Sequence, residues 1–286
     1  MNIEAVIMNV REKAELFKAL HQRQQAFILP NPWDAGSAKM LTALGFEALA
    51  TTSAGYAFSS GKGTAIGEIS REEALDHAAG ILAATSLPVS ADFENGYGHK
   101  PEDVAETVRR AAEIGLAGCT IEDTTGDPNN PIYDRGQAIE RIAAAAEVVA
   151  GLDRPFMLTA RAENYLFGRP DFADTLARLQ GYEAVGADVL YAPALPDLET
   201  IATVCREVSK PVNIVAGIGL PGITVAELEK VGVRRISVGS AFARLAFGAM
   251  VNAAREIRET GSFAPFQSAA TFASLEKLIR SASPSL

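Results

Sequence analysis

The chain has little of what several function classes require. Its two cysteines, Cys119 and Cys205, give neither a disulfide framework nor zinc-ligand spacing. No Lys/Arg cluster interrupts a net charge of −9, which argues against a nucleic-acid surface. No apolar run approaches ~18–20 residues, so no membrane-spanning helix is expected. The N-terminus carries Glu4 and Glu12 among its apolar residues and lacks a secretory leader's layout. Of three histidines, His21 and His77 fall on helical segments expected at the surface, and His99 in a solvated loop. With no histidine placed to activate it, neither cysteine makes a nucleophile. The expectation is a cytoplasmic protein with no nucleic-acid and no membrane partner.

What is present is 48% apolar and 21% charged residues in 286, ordinary for a globular chain with a large core. Residues 3–24 read as a helical preface, with Leu16, Phe17 and Leu20 on one stripe. Strand-like and helix-like segments then alternate eight times. The strand segments are 27–29, 46–52, 88–92, 118–122, 155–160, 187–191, 211–216 and 235–239. Between them, Ser70 and Glu73 form a capping box, and Pro101 opens a helix with Val104, Val108, Ala111 and Ala112 inward. Ser53 to Gly67 reads as a loop of small residues. Apolar runs that each precede an amphipathic helix imply a parallel sheet covered on both faces. Eight of them imply one domain over residues 1–286, a (β/α)8 TIM-type barrel with an N-terminal helical preface and a C-terminal helical extension. The alternative, an open doubly wound sheet, would need a GxGxxG-type turn after its first strand, and none is present. Residues 262–284, with Phe263, Phe266, Phe272 and Leu278, are too apolar for a free tail. They are expected to cover a partner subunit or the barrel base.

Three strand ends carry charge. Pro88-Val-Ser-Ala runs into Asp92 and Glu94 in a Gly-rich turn, Gly118-Cys-Thr-Ile into Glu122 and Asp123, and Met157-Leu-Thr-Ala into Arg161 and Glu163. Carboxylates at strand ends are costly unless a cation is near. In a barrel these ends build the active site, together with Thr52 and Ser53 where the second strand meets its loop and an inward Asn213 on the seventh. Ser53 and Gly55 are candidates to bind a substrate carboxylate. Oxygen-only ligands beside a guanidinium suit a hard divalent metal facing an anionic substrate. Asp123 and Glu163 read equally as ion-pair partners behind the site. Val238-Gly-Ser-Ala at a helix N-terminus has the look of a barrel phosphate site.

ADFENGYG, GCTIED, LTARAE and PVNIVAG, in that order, resemble the isocitrate lyase/phosphoenolpyruvate mutase superfamily from about Phe27 to Arg244. The resemblance implies a metal held by Asp92, with Glu94 in place of a second aspartate and Glu122 acting through water. It also implies Arg161 on the substrate oxygens, Ser53 in the carboxylate-binding loop, and a last helix exchanged between subunits. The chain departs from the family in its Thr124–Tyr133 loop, which has neither the lyases' cysteine-bearing KKCGH-type motif nor the mutases' lysine and Asn-Ser pair. The loop after the second strand has Gly61-Lys-Gly-Thr-Ala where an aspartate is usual.

The expected function is therefore a Mg²⁺-dependent lyase, with Mn²⁺ the alternative metal. It would cleave a C–C bond of a small 2-oxo or 2-hydroxy (di)carboxylic acid by decarboxylation or retro-aldol chemistry. Arg161 and the metal, held by Asp92, Glu94 and Glu122, would face the enolate charge. The alternatives are P–C chemistry on phosphonopyruvate and a 2-oxoacid-binding member without turnover. The expected assembly is a homo-oligomer, most simply a tetramer.

Overall fold

The structure, a computed structural model, describes residues 8–217 and 220–281. The chain runs α1 (Val10–Gln22), β1 (Phe27–Leu29), α2 (Ala35–Ala43), β2 (Leu49–Ala50), α3 (Ser53–Ser59), α4 (Arg71–Ala84) and β3 (Val89–Asp92). It continues through α5 (Pro101–Glu113), β4 (Gly118–Glu122), α6 (Arg135–Ala150), β5 (Met157–Arg161), α7 (Phe172–Ala184) and β6 (Val189–Tyr191). Last come α8 (Leu198–Glu207), β7 (Val212–Val215), α9 (Val225–Lys230), β8 (Arg235–Ser237), α10 (Ala241–Thr260) and α11 (Phe272–Ser281).

The eight strands are parallel, and β1 pairs with β8. Between β1 and β2 the ladder shrinks to one bond, Ala50 N–H to Pro30 O at 3.0 Å. Pro30 ends β1 and has no N–H to donate, so β2 covers two residues where the sequence suggested seven. The result is the expected (β/α)8 barrel, nearly closed.

Two apolar clusters fix the layers. Leu158, Ala160, Cys119 and Ile121 face outward and join Val104, Val108 and Leu179 beneath the helices. Cys119 is thus a core thiol, as expected, and α5 buries the predicted stripe. Inside the barrel, Phe27, Leu29, Ala50, Met157 and Val189 pack against Phe17 and Leu20 of α1. The helical preface plugs the N-terminal end of the barrel, and full burial of Phe17 contributes about 1.5–3 kcal/mol. Chemistry is left to the other end.

Two segments differ from expectation, and a third, the C-terminal extension, bears on assembly. The small-residue loop begins as α3, because Thr52 Oγ1 accepts the Gly55 N–H and starts a helix. His21 is buried rather than at the surface, edge-on to Phe17 and Phe27 at 4.7 and 4.9 Å. Burial, with Arg235 nearby, pushes its pKa down to about 3, so it is a neutral packing residue. Finally, α11 packs on α2 of its own chain, while α10 buries only Ala243 among the described residues.

Candidate active site

Strand register brings the predicted charges together. Glu122 lies beside Arg161 in the β4–β5 ladder, and Arg161 beside Tyr191 in the β5–β6 ladder. Side chains alternate across a strand, so Asp92, Glu122, Arg161 and Tyr191 share the inward face, two residues beyond Ser90, Thr120, Thr159 and Val189. A cavity of about 550 Å³ opens at this level, lined by Thr52, Ser53, Asp92, Glu94, Glu122, Arg161, Glu163 and Tyr191 among others.

Within it, Arg161 is the hub. Its NH1 is 3.1 Å from Glu122 Oε2, and its Nε and NH2 fork onto both oxygens of Glu163. The guanidinium carbon lies 5.0 Å from the Tyr191 ring centroid, a cation–π contact. Asp123 stands behind this cluster and is not part of the cavity wall. Its carboxylate accepts the Glu163 N–H at 2.8 Å, Arg178 NH1 at 2.9 Å and the Tyr182 hydroxyl at 2.8 Å. It therefore fixes the backbone from which Glu163 holds Arg161. Asp92 accepts from the hydroxyl and N–H of Ser53 at 2.8 and 3.2 Å, both on Oδ2. Ser53 thus orients the aspartate in this state.

Glu94 has the unusual backbone. Its φ of 48° lies in the left-handed region, which costs a non-glycine residue about 1–3 kcal/mol and is held only where neighbours enforce it. Here the Glu94 N–H reaches Asp92 Oδ1 at 3.4 Å, and its carbonyl accepts the Glu122 N–H at 2.9 Å. The conformation buries the carboxyl beside Asp92 and leaves Glu94 Oε2 without a hydrogen-bond partner. Burial, reinforced by Asp92, pushes the Glu94 pKa up to about 8. Burial likewise raises Glu122 well above the carboxylate range, and Glu163 to about 7, against the opposing pull of Arg161.

Four acids around one guanidinium form an uncompensated cluster, and hard oxygen donors with an orphaned buried oxygen fit a divalent cation. Among the described residues, however, no three acids, histidines or cysteines converge closely enough to enclose one. The expected three-carboxylate cage is not preformed, because Ser53 holds Asp92 and Arg161 holds Glu122. One or two carboxylates with waters and substrate oxygens is the coordination Mg²⁺ commonly takes.

The raised pKa values carry a sign. A Glu94 that titrates near 8 in the folded chain and 4.5 unfolded binds more protons when folded between those values. Stability is then present at low pH and lost as pH rises toward 8. Glu163 acts in the same sense. Urea unfolding of metal-free protein between about pH 5 and pH 9 should show this fall, and Glu94→Gln should flatten it. A Gln variant with the same slope as the parent would contradict the assignment.

The other residues singled out in the sequence are committed to packing or to hydrogen bonds of their own. Gly55 is buried in α3, where an added Cβ would meet Thr52 Cγ2 at 2.6 Å and Ala243 Cβ at 3.3 Å. It serves close packing and does not line the cavity. Asn213 lines a smaller inner cavity of about 50 Å³, shared with Asp92, Arg161, Tyr191 and Arg235. Its amide is committed, donating to Ser237 Oγ at 3.1 Å and accepting from Arg235 Nε at 2.8 Å. His99 lies in a neighbouring groove, with Nδ1 2.7 Å from the Tyr133 hydroxyl. The phosphate-like turn is already filled. Val238 N–H and Gly239 N–H both donate to Asn31 Oδ1, at 3.0 and 2.9 Å.

Sequence reasoning missed Asn31, Tyr191 and the apolar cavity residues Leu166 and Phe167. An asparagine before Pro-Trp reads as a turn, and a tyrosine ending an apolar strand reads as core. For Tyr191 the available signal was its place beside Arg161 at a strand end.

Comparison with known proteins agrees with this geometry. The family model of phosphoenolpyruvate phosphomutase matches residues 17–258. An oxaloacetate decarboxylase of Pseudomonas savastanoi pv. phaseolicola (strain 1448A / Race 6) is 28% identical, covering 85% of this chain and 84% of its own. A 2-methylisocitrate lyase of Escherichia coli (strain K12) is 26% identical over 79% of this chain and 78% of its own. A Burkholderia cenocepacia J2315 crystal structure, provisionally assigned as a lyase/mutase, superposes with a TM-score of 0.90 at 52% identity, covering 94% of this chain and 95% of that one. The strand-end acids and Arg161, the barrel that positions them and the match over most of its length place this chain in the phosphoenolpyruvate phosphomutase family, within the isocitrate lyase/phosphoenolpyruvate mutase superfamily.

Proposed function

We propose that this protein is a Mg²⁺-dependent carbon–carbon lyase acting on a small 2-oxo or 2-hydroxy acid. The observation that carries the reading is the acid cluster around Arg161, with a buried, unpartnered oxygen on Glu94. Asp92 and Glu94 would hold the metal, with Glu122 reaching it through water. Bound there, the metal supplies a Lewis acid for the substrate's carboxylate and 2-oxygen. Arg161 presents its guanidinium where oxyanion charge grows as the bond breaks, fixed in place by Glu163 and Tyr191. No Cys, Lys or His lines the cavity among the described residues. Loss of CO2 needs no protein acid as the bond breaks, so decarboxylation is the cleavage these residues support best. The names of the oxaloacetate decarboxylase and 2-methylisocitrate lyase relatives support the same class.

Calorimetry tests the metal. Asp92→Ala should weaken Mg²⁺ binding by about 100-fold or more with the fold retained, since even outer partners of metal ligands contribute 10–100-fold. Unchanged affinity would sink the assignment. Oxaloacetate, 2-methylisocitrate and 2,3-dimethylmalate, each with Mg²⁺, should yield pyruvate or succinate for at least one acid. Binding without turnover of any would favour the non-catalytic reading.

The proposal extends to assembly as a homo-oligomer, with a tetramer of helix-exchanged dimers as its form. Its support is α10, where Leu245 and Met250 are 69% and 61% exposed, and Phe263, Phe266 and Phe272 just beyond it, all exposed. An apolar face this large is ordinarily covered. Sedimentation at about 10 µM should give more than one protomer, given the ~1,600 Å² that stable interfaces bury. A monomer contradicts it.

A further inference from the structure

The cavity has two unlike ends. Its acids and Arg161 lie at the strand ends. The loops above them contribute Ile66, Pro128, Pro131, Leu166, Phe167 and Pro193. Leu166 and Phe167 are 41% and 42% exposed, although nothing in the barrel core requires apolar residues at that position. Two of these loops already touch. Gly126, at φ 83°, approaches Ile66 so closely that an added Cβ would lie 3.0 Å from Ile66 Cβ. The Thr124–Tyr133 loop holds its own shape through Thr125 N–H to Pro131 O at 2.9 Å and a bridge between Thr124 and Ile132. This apolar rim is a built wall.

Charge complements shape. Arg161 is the one cationic residue on the cavity wall among the described residues, and Glu122 and Glu163 both engage it. Arg169, on the same loop as Leu166, donates to Asn129 O at 3.2 Å and is not part of the wall. Asp127 is part of it and would repel a second anionic group. Space points the same way. A four-carbon dicarboxylate has about nine heavy atoms, and even at a water's ~30 Å³ each it fills roughly half of the cavity.

We infer that the substrate's far end, away from its acid head, is an uncharged apolar group seated against Ile66, Leu166 and Phe167. This rests on the 2-oxo/2-hydroxy acid reading above and narrows it. Acids with an alkyl tail are preferred, and those with a second carboxylate at that end are disfavoured.

Isothermal calorimetry on the intact protein with saturating Mg²⁺ tests it, with oxalate as a head-only probe and pyruvate, 2-oxopentanoate and 2-oxoglutarate as tailed ones. Each buried methylene should tighten binding roughly fourfold, so 2-oxopentanoate, with two more, should exceed pyruvate by about 15-fold. The carboxylate-ended 2-oxoglutarate should bind no better than pyruvate. Leu166→Lys, at a half-exposed position, should weaken 2-oxopentanoate, strengthen 2-oxoglutarate and leave oxalate unchanged. If oxalate binds and 2-oxoglutarate matches or exceeds 2-oxopentanoate, the apolar end is refuted and the acid site stands. If oxalate itself fails to bind, the underlying reading falls and this inference with it.

Discussion

Replacing Arg161 with alanine is expected to lower kcat for oxaloacetate by about 100- to 1,000-fold, the usual loss when one preorganised oxyanion donor is removed. The same change should destabilise the metal-free fold by about 3–5 kcal/mol, because it strands buried acids without their counter-ion. Glu163 loses its ion pair with the forked guanidinium, and Glu122 loses its ion pair at 3.1 Å. The pH dependence separates this from a general packing defect. Arg161 lowers the pKa of both glutamates against burial, so its removal lets both rise further. Protonated acids need no counter-ion, so the stability deficit should shrink as pH falls and grow as it rises. Arg161→Lys retains charge but not the fork onto both oxygens of Glu163, so it should recover more stability than rate. An alanine variant with parental kcat would show that Arg161 is a structural cation alone, and a deficit that is constant in pH would show a packing defect instead.

How much of this was legible in the sequence depended on periodicity. Asp92, Glu122 and Arg161 each end a short apolar strand, and the two-residue alternation of a parallel barrel directs all three into one mouth. Their convergence follows from local pattern plus topology, so reading along the chain was enough. Gly55 did not yield to that reasoning. A glycine among small residues serves backbone approach to a ligand or to a neighbouring helix equally well, and only the nearness of Ala243 decides for packing. His21 was misplaced for a similar reason. It falls at the end of an amphipathic helix, but that helix plugs the barrel and carries its last turn inside. Asn31 was invisible because its role depends on β8, more than 200 residues away along the chain. Leu166 and Phe167 were passed over because an apolar pair in a loop carries no period.

Asn31 also bears on the choice between carbon and phosphorus chemistry. Phosphoryl transfer spreads charge over three oxygens and needs cations or strong donors around the moving group. A barrel supplies such donors at the turn after β8, and here Asn31 Oδ1 occupies the Val238 and Gly239 N–H groups. The Thr124–Tyr133 loop contributes no Lys or Arg, its Thr125 N–H is spent on Pro131 O, and Asp127 faces the cavity. A phosphonate dianion would meet an acid and an apolar rim, with no free cation on the cavity wall among the described residues. A carboxylate that departs as CO2 sheds its charge as the bond breaks, and an apolar surrounding favours that loss. Turnover of oxaloacetate is therefore expected to exceed that of phosphonopyruvate by about 1,000-fold in kcat/KM, the low end of what one well-placed cation contributes to phosphoryl transfer. Asp127→Lys should narrow the gap by raising phosphonopyruvate turnover more than that of oxaloacetate, whose second carboxylate loses its charge as CO2 leaves. Phosphate or phosphoenolpyruvate formed from phosphonopyruvate by the parent protein faster than pyruvate from oxaloacetate would reverse the assignment.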